Sequence, residues 1–157
     1  MTDNNWVELP LSNGGVTLVD LADLELAKPH TWHRHKSKEG LFYARANVNG
    51  KKVYLHRFLM QAARGELVDH KNEDGLDNRR STNLRKATKS QNGANRTRKP
   101  KNYSSRFKGV TRHDNKWLAQ ITVNYKHRYL GIFETEEAAA EAYRKAAQES
   151  FGGFHKC

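Results

Sequence analysis

From Gly93 to Ser105 the chain reads GANRTRKPKNYSS, and this stretch limits what the rest can fold into. It carries Arg96, Arg98, Lys99 and Lys101, a proline, no acid and almost nothing apolar. Such a segment cannot be buried, because its charges and backbone would leave water without finding partners. The chain is therefore expected to fold as two pieces, residues 1–92 and 106–157, joined by a basic linker over 93–105. With 157 residues, 36% of them hydrophobic, each piece can build a modest core, but one large core is out of reach.

The formal charge is +11, which points to a polyanionic partner, most often nucleic acid. The excess is concentrated. From Gly93 to Arg128 there are ten Lys or Arg residues and a single acid, Asp114. The one cysteine, Cys157, rules out an internal disulfide and a zinc site built on Cys pairs, so a reducing, cytoplasmic setting is expected. No apolar run reaches membrane-spanning length, and the first residues lack the basic-then-apolar pattern of a secretory signal.

Ahead of the linker the pattern is that of a small α+β scaffold. Leu21, Leu24 and Leu26 fit one or two helical turns ended by Pro29. Asn49-Gly50 lies between alternating runs and predicts a two-residue hairpin. His56 to Arg64 reads as a helix closed by Gly65. His56 itself reads as a packing or hydrogen-bonding residue, and the run HTWHRHK as a solvated basic loop.

The scaffold leads into VDHKNEDGLDNRRSTNLRKATKSQN, residues 68–92. A calcium loop aligned on Gly75 would put Ser81 where an acid is required, and no serine or cysteine has the setting of a nucleophile. A single-metal phosphodiesterase site fits better. Phosphodiester hydrolysis needs a deprotonated water and a cation to neutralise charge on the phosphate and leaving oxygen. A hard cation is satisfied by one carboxylate, one amide oxygen and waters. An imidazole is a suitable base at neutral pH, and a second amide can fix its tautomer. Two strands and a helix capped by Thr88 would bring Asp69, His70, Asn83 and Asn92 together.

These residues resemble the HNH, or ββα-metal, nuclease motif, most closely its phage homing-endonuclease branch. The likeness rests on His56-Arg57, the run from Val68 through Arg85 and Thr88, and Gln91-Asn92 followed by Asn95. It implies that His70 is the general base, that Asn83 orients it, and that Asp69 and Asn92 bind Mg²⁺ or Mn²⁺. Asn92 stands where histidine is common, which disfavours softer metals. The resemblance further implies hydrolysis of DNA to a 5′ phosphate and a 3′ hydroxyl, in the host cytoplasm of a phage. The alternatives are a non-catalytic DNA-binding regulator that keeps the nuclease fold, and an RNA-binding protein.

After the linker, FKGVTR, KWLAQITV and HRYLGIF predict three strands, and TEEAAAEAYRKAAQESF a helix with Thr135 as N-cap. Alternation puts Trp117, Ala119 and Ile121 on a face that packs against the alanine-rich helix. Lys116, Leu118, Gln120 and Thr122 form the other face, and a sheet with such a face can enter a major groove. From Ser105 to about Phe154 this block resembles the Apetala/ethylene-response-factor DNA-binding domain, through FKGV, KWLAQI, YLGIFETEEAAAEAY and FGGF. The likeness implies that Lys108, Arg112, Lys116, Gln120, Thr122 and Arg128 lie on a DNA-facing sheet, with Arg96, Arg98, Lys99 and Lys101 tracking phosphates. The expected fold class is thus α+β: a ββα-metal domain, a basic linker, and a three-stranded antiparallel sheet packed on one helix. The expected partner is double-stranded DNA. No helix offers a dimer seam, so a monomer is expected.

Overall fold

A computed structural model describes residues 5–96 and 103–155, and the chain divides into two compact units, Met1–Ala87 and Thr88–Cys157. The first unit opens with β1 (Trp6–Pro10) antiparallel to β2 (Val16–Asp20). A 3₁₀ turn (Leu21–Asp23) and a four-residue helix, α1 (Leu24–Ala27), follow. Leu21 and Leu26 are exposed there, Leu24 packs half-buried on the core, and Asp23 and Ala27 are buried. Trp32 lies fully buried and donates its indole N–H to the Ala27 carbonyl at 2.8 Å, so the short helix is pinned at its end.

Next comes a meander of β3 (His33–Lys36), β4 (Phe42–Val48) and β5 (Lys51–Tyr54). The β4–β5 turn has φ of 50° at Asn49 and 77° at Gly50, the two left-handed residues that the Asn-Gly pair predicts. The run HTWHRHK therefore supplies a buried tryptophan and a strand, not a loop. The core of this unit joins Leu9, Val19, Ala44, Ala46, Leu55 and Leu59 around Trp32.

The helix expected over 56–64 is shorter: α2 is Leu55–Leu59. The reason is Arg57. Its guanidinium donates to the carbonyls of Ala62 at 3.3 Å, Ala63 at 2.8 Å and Glu66, folding the following residues back beside the helix. That turn delivers the chain into β6 (Leu67–His70), which pairs antiparallel with β7 (Leu84–Ala87).

In the second unit Thr88 caps α3 (Lys89–Asn95). Its hydroxyl accepts from Gln91 N at 3.2 Å, and the Gln91 amide oxygen accepts from Thr88 N at 2.8 Å. The helix thus groups with the C-terminal block, and the division falls after Ala87 instead of Asn92. Arg98, Lys99 and Lys101 of the expected linker lie outside the described residues.

β8 (Val110–His113), β9 (Lys116–Val123) and β10 (Lys126–Phe133) form an antiparallel sheet with β9 in the middle. α4 (Glu136–Phe151) packs on it, with Thr135 accepting from Ala138 N at 3.2 Å. Ala119 and Ile121 of β9 are buried against α4 residues Ala139, Tyr143, Ala146 and Ala147, as the alternation predicts. Gly109 is obligatory. Its φ is +72°, and a Cβ there would stand 2.1 Å from the Tyr143 ring and 2.5 Å from the Gln120 carbonyl.

Candidate active site

The segment 67–87 is a hairpin whose long loop is tied down by its own polar side chains. Asp74 N donates to Asn72 Oδ1 and Leu76 N to Asp74 Oδ1, both at 2.9 Å, two local Asx turns. The loop is then bound to β2: Leu18 N donates to the Leu76 carbonyl and Asn78 N to the Leu18 carbonyl. Asp77 is buried and takes Arg79 in a fork, Nε at 2.7 Å and NH2 at 2.6 Å. Burial would raise the Asp77 carboxyl, but the Arg79 hydrogen bonds outweigh it and hold the group below the usual range. Asp20 receives Ser81 through both its backbone N–H and its hydroxyl, at 2.7 and 2.8 Å.

Gly75 has a spatial reason. A Cβ there would meet the Phe42 carbonyl at 2.3 Å and the Tyr43 ring at 2.5 Å, so only glycine lets the loop lie on β4. Tyr43 is in turn one wall of the pocket around His70, with ring centroids 5.9 Å apart.

At the end of β6, Asp69 and His70 are both buried. Asp69 is paired in register with Arg85 of β7, whose Nε donates to Asp69 Oδ2 at 2.8 Å. The His70 ring stands edge-on to His56, centroids 4.9 Å apart, and its Nε2 lies 3.3 Å from Asn78 Oδ1. Burial lowers the His70 pKa from 6.5, against the Asn78 hydrogen bond and the charge of Asp69, both of which raise it. The imidazole is therefore neutral at pH 7, the form a base requires.

Asn83 is buried in the same hairpin, but its amide serves the loop. Its Nδ2 donates to the Asp77 carbonyl at 2.7 Å and its Oδ1 accepts from Asn72 N at 3.0 Å. Where the sequence leads one to expect Asn83 against the His70 ring, the amide oxygen facing that ring belongs to Asn78. Asn78 lies in the LDN triplet, and Thr17, which holds it, lies on β2 with no local signal to mark it. His56 is a packing residue, as expected. It stacks on Tyr54 at 5.6 Å, its Nδ1 is buried with no hydrogen-bond partner, and burial lowers its pKa to about 3.

Asp69, His70 and Asn83 thus share the first unit, while Asn92 is a partly exposed residue of α3 in the second. The Asp69 carboxylate, whose Oδ2 already holds Arg85, is a hard oxygen donor of the kind Mg²⁺ takes. Among the described residues no three His, Cys, Asp or Glu side chains group as metal ligands.

In the second unit, register revises the expected DNA-facing set. Cross-strand partners share a face, and Arg112 pairs with Trp117 and Arg128 with Ile121, both on the helix side. Accordingly the Arg112 guanidinium lies 5.5 Å over the Trp117 ring, and Arg128 reaches Glu149 of α4 at 3.8 Å. The cause at Arg128 is a bulge between Tyr129 and Gly131. Simple alternation back from Phe133 would turn Arg128 to the open face, and the extra residue inverts it. Lys108 is also redirected: its ammonium donates to the carbonyls of Gly93, Ala94 and Arg96 at 2.7–2.9 Å, capping the C-terminal end of α3. Lys116, Gln120 and Thr122 are exposed on the open face, joined by His127 and Tyr129. Among the described residues no helix is long and apolar enough to cross a membrane.

Comparison with known proteins finds an uncharacterized HNH endonuclease of Acanthamoeba polyphaga mimivirus that is 32% identical over 148 residues, spanning 90% of this chain and 73% of the relative. No family model matches the chain, and no solved structure matches it significantly.

Proposed function

This chain belongs to the HNH endonuclease family, and we propose that it is a metal-dependent DNA endonuclease whose general base is His70. The observation that carries the reading is a buried imidazole held on one side by an amide oxygen and set beside the only carboxylate on its strand. His70 takes a proton from a water as that water's oxygen bonds to phosphorus and the P–O3′ bond breaks; the departing 3′ oxygen takes a proton from solvent, giving a 5′ phosphate and a 3′ hydroxyl. In the first unit Asp69 would hold Mg²⁺ or Mn²⁺. The ion, when bound, neutralises charge on the phosphate and the departing oxygen. Arg85 holds the Asp69 carboxylate in one rotamer.

Duplex DNA is the proposed substrate. The likeness of residues 105–154 to the Apetala/ethylene-response-factor domain supports a targeting role for the C-terminal sheet, with Lys116, Gln120 and Thr122 on its open face. The backbone-tracking role falls to Arg96 and to Arg98, Lys99 and Lys101, because cations there gain affinity from phosphates without choosing sequence. The proposed setting is the cytoplasm of a host cell, and the proposed form a monomer.

The test is His70→Ala in a supercoiled-plasmid assay with Mg²⁺. Nicking should fall by about 10²–10⁴-fold, the usual worth of a positioned base, while DNA affinity stays within about twofold. Nicking by the variant at the parental rate removes His70 from the chemistry.

A further inference from the structure

A directed chain of hydrogen bonds runs from the β2 strand to the His70 ring, and it lies wholly within the first unit. Thr17 is fully buried, and its hydroxyl donates to the Leu76 carbonyl at 2.6 Å. A carbonyl can only accept, so the single hydroxyl proton is committed there. Toward Asn78 the Thr17 oxygen can then only accept, and Asn78 Nδ2 stands 2.7 Å away. The same Nδ2 lies 3.3 Å from the Gly75 carbonyl, a second acceptor. Two acceptors on one side of the amide fix which end is nitrogen. The amide oxygen must then face His70 Nε2, at 3.3 Å.

We propose that Thr17 and Asn78 are positioning residues that set the tautomer of the base: they hold the proton of His70 on Nε2 and leave the lone pair on Nδ1, which receives the proton from water. This rests on the endonuclease reading for the word "base", but the tautomer itself is a property of the folded protein without metal or DNA. The polarity is set at the Leu76 carbonyl and passed along without a free choice at any link. Reversing the Asn78 amide would put an N–H against Nε2. That ring nitrogen would have to accept, the proton would move to Nδ1, and the base would be silenced. The Leu76 carbonyl that docks the loop on β2 thus also decides which ring nitrogen is basic, with the Gly75 carbonyl as the second acceptor of the Asn78 amide.

The experiment is long-range ¹H–¹⁵N correlation on ¹⁵N-histidine-labelled protein at neutral pH, with the His70 signals identified by their loss in His70→Ala. The parent should show the Nε2–H form. Thr17→Val keeps the shape but removes the acceptor, so part of the population should move to the Nδ1–H form. Plasmid nicking with Mg²⁺ should fall by the same factor as the Nε2–H fraction. Thr17→Ser, which keeps the hydroxyl, should restore both. A parent spectrum showing Nδ1–H overturns the proposal, and so does a Thr17→Val protein that loses activity with its tautomer unchanged. If Thr17→Val does not fold, the parent spectrum decides. A parental Nε2–H form together with full nicking by His70→Ala would leave the tautomer assignment standing and remove the endonuclease reading.

Discussion

Replacing His56 with phenylalanine should make the first unit more resistant to acid. In the folded protein the ring packs against Tyr43, Tyr54 and His70, and its buried Nδ1 has no hydrogen-bond partner. Burial first, then the neighbouring His70 and Arg57, lowers its pKa from 6.5 to about 3. The unfolded chain therefore binds a proton that the folded chain refuses. A lowered histidine gives stability that is complete above the unfolded pKa and is lost as pH falls from 6.5 toward the folded value. At about pH 5 the ratio of binding polynomials costs the folded state about 2 kcal/mol, and any folded pKa below about 4 gives nearly the same figure. Phenylalanine has no such linkage and fits the same aromatic wall. Urea midpoints followed by the emission of Trp6 and Trp32, both in the first unit, in a Trp117→Phe background, should therefore show the parent losing about 2 kcal/mol more than His56→Phe between about pH 7.5 and pH 5. His70 is lowered in both proteins and contributes to both slopes equally. Equal losses in the two proteins, within about 0.5 kcal/mol, would mean that His56 is charged or solvated in the folded state, and the burial argument around His70 would go with it.

Gly109→Ala should destabilise the second unit by at least about 2 kcal/mol, since a left-handed φ and the Tyr143 ring both oppose a Cβ; calorimetry of the full chain reads this as loss of one transition's stability. Arg57→Ala should cost about 2 kcal/mol by removing the guanidinium donor shared by three carbonyls of the α2–β6 turn, and faster amide exchange at Ala62–Glu66 is the local readout. On DNA, Lys116→Ala should lower the salt dependence of binding by about one counterion, whereas Gln120→Ala should leave that slope unchanged and weaken discrimination between sequences. A Gln120→Ala protein with an altered salt slope and unaltered sequence preference would remove the open face of the sheet from base readout.

Local chemistry settled a good deal of this protein in advance. Asn49-Gly50 demands two left-handed residues and so fixes a hairpin. Thr88 with Gln91, and Thr135 before two glutamates, fix helix starts. The alternation in KWLAQITV fixes which side of β9 meets α4, and Asp69-His70 is placed at a strand end by the Asx-rich loop that follows it. Each of these depends on dihedrals and periodicities within a few residues, which the chain carries wherever it folds. The tertiary structure decided the rest, because those features depend on partners far along the chain. Thr17 meets Asn78 across sixty-one residues, so no local pattern could assign the amide that faces His70 or release Asn83 from that role. One extra residue in β10 turned Arg128 toward Glu149, since a period-two strand inverts every side chain behind a bulge. Lys108 went to the end of α3 because the carbonyls of Gly93, Ala94 and Arg96 are gathered beside it only by the folded unit.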